Sequence, residues 1–102
     1  LILGQMNELG LDALKFHGLV LKETSQHVFD CVILSGDLFK KTLKMYPNFK
    51  NKFIYKSSSK SIMKYLDEIL HKKAMIMTKC SNATEVNKFV TLLKLKKKDK
   101  IV

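Results

Sequence analysis

Arginine is missing altogether from this 102-residue chain; all 19 of its basic residues are lysines. Specific recognition of phosphates and base edges leans on the planar arginine fork. A net charge of +10 without one guanidinium therefore speaks against a sequence-specific nucleic-acid protein, and reads as compositional bias on solvated faces. Five of the lysines (Lys94, Lys96, Lys97, Lys98 and Lys100) crowd a tail whose last residues, 95–102, are expected to fray. Cysteine is scarce as well. Cys31 and Cys80 form no CxxC pair and no Cys/His cluster, which excludes a zinc site of ordinary spacing. Two reduced thiols in a cytoplasmic compartment are the simpler expectation. No apolar run approaches the roughly 20 residues of a membrane span. Leu1-Ile2-Leu3 is far too short for a signal-peptide core. Neither GxGxxG nor GxxxxGK[ST] occurs, so nucleotide binding by this chain on its own has no motif behind it.

What is present is an alternation. With 46% apolar and 27% charged residues the chain has the composition of one ordinary globular domain, residues 1–102. Four β-like runs stand out: Leu1–Leu3, Asp30–Gly36, Lys52–Lys56 and Ala74–Lys79. The second and fourth are nearly continuous in apolar residues, as strands buried on both faces are. Between them the apolar period shifts to about 3.6. Leu14, His17 and Leu21 mark a helix over roughly 11–22, with Gly18 as a weak point. Leu38, Phe39, Thr42, Leu43 and Tyr46 mark a second helix, which Pro47 stops. Ile62, Tyr65, Leu66, Ile69 and Leu70 form a third stripe behind Ser57-Ser58-Ser59, which supplies an N-cap. Val86, Phe89, Val90 and Leu93 form a fourth, with Asn82 and Glu85 at capping-box spacing. Repeated strand–helix units predict an α/β domain, a mostly parallel sheet with helices on both faces. Met75, Met77 and Cys31 are expected in its core. The chain also starts inside an apolar run, without Met, as a piece of a longer polypeptide would.

In such sheets ligands meet the loops at the carboxyl ends of the strands. These are residues 4–10, 35–37, 56–59 and 79–82. Gln5, Met6, Asn7 and Glu8 lie between two glycines and would face a cleft; the plain alternative is a β-to-α turn. Lys79, Cys80, Ser81 and Asn82 put a cation, a thiol, a hydroxyl and an amide at the start of a helix. That combination favours a carboxylate or phosphate, and simple capping by Ser81 or Asn82 is the alternative. Of the three histidines, His17 is placed to pack and bond to the first loop. His71 sits near a helix C-terminus, and His27 in a polar connector. No spacing builds a Cys–His nucleophile or a metal site, and no catalytic residue is assigned.

The opening Leu1-Ile2-Leu3-Gly4-Gln5-Met6-Asn7-Glu8-Leu9-Gly10, with His17 six residues on, resembles the V-L-G-D-M-x-E-L-G-(six)-H segment of Mur ligases, most closely the MurF type. Phe29 to Gly36 is similar to the I-D-x-V-x-x-V-G strand, and Ala74 to Ser81 to D-x-V-L-V-K-G-S. The likeness runs along nearly the whole chain. It departs at Gln5, where the pattern has Asp, and at Cys80, where it has Gly.

The resemblance implies a Rossmann-like C-terminal domain of a three-domain, ATP-dependent ligase that joins D-Ala-D-Ala to UDP-MurNAc-tripeptide in peptidoglycan synthesis. ATP and Mg²⁺ would be held mainly by a central ATPase domain not present here, acting in cis. This domain would close over the nucleotide and help hold the dipeptide through Lys79 to Asn82, and would be inactive alone. Within the superfamily, MurE and folylpolyglutamate synthetase are the competing assignments. From a different class comes a free-standing basic α/β module for nucleic acid or an acidic partner.

Overall fold

A computed structural model describes residues 1–6, 10–69, 75–80, 84 and 86–93. Four short strands, β1 (Ile2–Gly4), β2 (Ile33–Ser35), β3 (Ile54–Tyr55) and β4 (Thr78–Lys79), form one parallel sheet in the order β3-β2-β1-β4. Ile2 and Leu3 stand beside Ile33 and Leu34 on one side and Thr78 and Lys79 on the other. The helices are α1 (Ala13–Ser25), α2 (Asp37–Met45), α3 (Ser59–Ile69) and, at residues 86–93, α4. Single 3-10 turns precede α1 at Gly10–Asp12 and follow α2 at Pro47–Phe49.

Strand order explains the layers. From β1 the chain steps outward to β2 and β3, then returns to β4 on the far side of β1, so the last crossover must use the opposite face. Successive side chains in a strand point to opposite faces, and the core divides accordingly. Leu3, Val32 and Leu34 pack with Leu21 of α1 and Phe39 of α2. Ile2 and Ile33 pack with Ile62 and Leu66 of α3 and Val86 and Phe89 of α4. The domain is therefore a Rossmann-like three-layer α/β sandwich. Among the described residues no helix is long and apolar enough to cross a membrane.

Several expectations shift in detail. Helix α1 starts two residues later than expected and runs three residues further, to Ser25. Gly18 is more than a soft spot: a Cβ there would lie 2.9 Å from the Tyr46 ring, so its bareness lets α1 and α2 approach. The fourth strand shrinks to two residues, and Met75 and Met77 are not core. They are 89% and 56% exposed. The cause is topological, because β4 is an edge strand. Lys79 pairs with Leu3 and shares its face, and Met77, two residues earlier, falls on the same side. No β4 side chain joins the described α1–α2 core. Cys31 does pack against a core cluster. Both thiols are free, since Cys31 precedes β2 and Cys80 follows β4, at opposite ends of parallel strands. His71, the Asn82/Glu85 pair, Leu70 and residues 95–102 lie outside the described residues.

Candidate functional site

The carboxyl ends of β1 and β4 meet side by side, at the point where the strand order reverses. Gly4 makes the approach possible. A Cβ on it would sit 2.6 Å from Cys80 Cβ and 2.8 Å from a methyl of Val86. Of the two loops read as a cleft rim, Gln5, Met6, Lys79 and Cys80 are described, while Asn7, Glu8, Ser81 and Asn82 lie outside the described residues. Lys79 is exposed on the Leu3 face of the sheet. Cys80 is half-buried and packs against the core cluster that includes Val86 and Phe89.

Gln5 turns away from β4. Its Oε1 accepts a hydrogen bond from the Leu38 N–H at 3.2 Å, in the first turn of α2. Gly36, with φ of 109°, leaves room for this, since a Cβ there would meet the Gln5 side chain at 2.7–2.9 Å. Gln5 thus supplies the cap that α2 lacks from its own N-cap residue. An amide serves here where the Mur pattern has a carboxylate.

His17 is fully buried, with both ring nitrogens engaged. Nε2 accepts from the Met6 N–H at 3.1 Å, and Nδ1 lies 2.6 Å from the Ala13 carbonyl. A backbone N–H can only donate, so Nε2 is unprotonated and Nδ1–H donates to Ala13. The ring also stands edge-on to Phe39 at 4.7 Å. His17 ties the loop after β1 to α1 and has no nitrogen left for a proton shuttle. His27 is exposed and pairs with Glu23 at 3.3 Å.

Beside this rim, a cavity of about 240 Å³ lies over the ends of β1, β2 and β3. Its walls include Gln5 after β1, Ser35 at the end of β2 and Asp37 at the start of α2, Tyr55 at the end of β3 and Ser57 after it, and Lys88 from α4. Burial and the Asp37 carboxylate push the Tyr55 hydroxyl above its ordinary pKa, against a smaller opposing effect of a backbone hydrogen bond from Gly36. Tyr55 therefore stays a protonated donor at neutral pH. Ser35 Oγ is buried and has no hydrogen-bond partner among the described residues. Thr84 closes the far side and caps α4, its Oγ1 accepting from the Asn87 N–H at 3.3 Å.

The loops at 35–37 and 56–59 were legible as ligand-side loops, but Tyr55, Thr84 and Lys88 were not. Only Thr84, three residues before Asn87, carries a readable signal, that of an N-cap. No family model, curated protein or solved structure matches the chain.

Proposed function

We propose that this chain is the C-terminal domain of a MurF-type Mur ligase, a cytoplasmic, ATP-dependent enzyme that adds D-Ala-D-Ala to UDP-MurNAc-tripeptide. The single observation that carries the reading is the adjacency of the β1 and β4 loops at the reversal of strand order, joined through Gly4 and Cys80. These are the two segments whose sequence resembles the Mur patterns, and open α/β sheets bind ligands at such a reversal. His17 adds support. The residue at the family spacing holds the first loop through the Met6 N–H.

In this reading ATP phosphorylates the tripeptide carboxylate, and the dipeptide amine attacks the acyl phosphate. The central ATPase domain would hold ATP and Mg²⁺. This domain would form the second wall of the cleft, and Lys79 would offer an ammonium to the dipeptide carboxylate. In the full-length ligase, Lys79→Ala is expected to raise the KM for D-Ala-D-Ala about tenfold or more, the loss of one charge-assisted contact. The KM for ATP should change much less. An unchanged dipeptide KM removes Lys79 from the site. A full-length protein that releases no phosphate with UDP-MurNAc-tripeptide and D-Ala-D-Ala ends the ligase reading. The competing reading as a basic binding module rests on net charge alone.

A further inference from the structure

Among the described residues, His17 is the only ionisable side chain that is buried, at 0% exposure. Its two bonds fix its proton count as well as its tautomer. The Ala13 carbonyl, 2.6 Å from Nδ1, can only accept, and the Met6 N–H, 3.1 Å from Nε2, can only donate. One imidazole meets both demands only while Nε2 keeps its lone pair. A second proton would set two N–H groups against each other at 3.1 Å. It would also charge a ring from which water is excluded.

No charged group is placed to compensate. From α2 the ring meets Phe39, which is apolar. The charged side chains of the turn before α1 and of α1 itself, Asp12, Lys15, Lys22 and Glu23, are exposed. So are those of α2, Asp37, Lys40, Lys41 and Lys44. Both ring nitrogens are taken by backbone groups, and none of these carboxylates bonds to them. The Met6 bond is therefore the contact that protonation must break. Gln5, one residue earlier, is held separately by the Leu38 N–H of α2. Loss of the His17 bond thus frees the chain from Met6 onward while β1 and Gln5 stay docked. The freed loop leaves β1 beside β4, where the strand order reverses.

We infer that His17 is a proton-operated latch: neutral, it holds the loop after β1 against α1, and protonated, it releases that loop. The sign follows from the proton count. The latched state has no proton on Nε2 and the released state can bind one, so acid favours release. Histidine in water is half-protonated near about pH 6.5. The ratio of released to latched loop should accordingly rise about 25-fold from about pH 7 to about pH 5. The inference concerns this chain's own bonds and does not depend on the ligase reading.

The test is amide hydrogen exchange on the chain across that range, each rate divided by its intrinsic rate at the same pH, beside nitrogen-15 shifts of the His17 ring. Met6 protection should fall about 25-fold, in step with proton uptake at Nε2. Ile33, whose N–H bonds the Leu1 carbonyl within the sheet, should keep its protection. His17→Gln offers an amide oxygen to the Met6 N–H with nothing to titrate, so its Met6 profile should be flat. Constant Met6 protection in the parent down to about pH 5 overturns the inference. So does a fall that Ile33 shares, which is acid unfolding of the whole domain. A ring that stays neutral while Met6 opens overturns it without recourse to the variant, and a His17→Gln profile that keeps the parent's pH dependence does the same.

Discussion

Two glycines show how the same substitution separates by what stands opposite. At Gly4 an added methyl would press on Cβ atoms of Cys80 and Val86 at 2.6 and 2.9 Å, atoms fixed to the backbone of β4's end and α4. At Gly18 it would press on the far end of the Tyr46 side chain, a residue 41% exposed, whose ring can give where a backbone cannot. Gly4→Ala is expected to cost about 3 kcal/mol, the upper end of overpacking. Gly18→Ala gains about 0.5–1 kcal/mol of helix propensity, which offsets the displaced ring, so its net change should stay within about 0.5 kcal/mol. Urea midpoints decide the pair, and equal damage at both would refute the contrast. His17→Ala belongs at this scale too. It strands the Met6 N–H and opens a cavity beside Phe39, a combined loss of about 3 kcal/mol. If the Met6 amide loses hydrogen-exchange protection in that variant while α1 keeps its own, the link from loop to helix is local, as the bonding pattern requires.

Caps govern the elements. Ser58 and Ser61 bond reciprocally at the start of α3, each backbone N–H donating to the other's hydroxyl at 3.1 and 3.2 Å. It is a capping box with serine at both ends. Ser58→Ala should cost about 1 kcal/mol, and the double variant Ser58→Ala/Ser61→Ala less than the sum of the singles, because the two share bonds. Strict additivity in unfolding experiments would mean that the pair acts as two independent hydroxyls. The serine run announced this helix, as apolar stripes announced all four and a nearly continuous apolar stretch the central strand β2. Met75 and Met77 lie outside the core for a reason that composition cannot supply. A continuous apolar run implies burial on both faces only if helices cover both, and strand order, not local sequence, makes β4 an edge. Gln5 was equally opaque: its bond to Leu38 spans 33 positions, a pairing fixed only once β1 and β2 lie side by side.

At the scale of the whole molecule, the site was legible as a set of strand-end loops but not as a pocket, since Tyr55 and Lys88 reach the same cavity from distant segments. Among the described residues, layering also divides part of the net charge of +10. Lys40, Lys41 and Lys44 are exposed on α2, in one helix layer, while Lys60 and Lys64 are exposed on α3, in the other. The sheet stands between them, so one duplex cannot contact both sets. A polyanion laid along α2 would engage about three lysines, and each neutralised phosphate contributes about −0.9 to the slope of log Kobs against log salt. Binding of nonspecific duplex DNA should then weaken about 40-fold between about 50 and 200 mM salt, with no preference for sequence. A slope near −6 or steeper would need about seven simultaneous phosphate contacts on one surface. That result would favour the nucleic-acid module over the ligase domain, because the three exposed lysines of α2 cannot produce it.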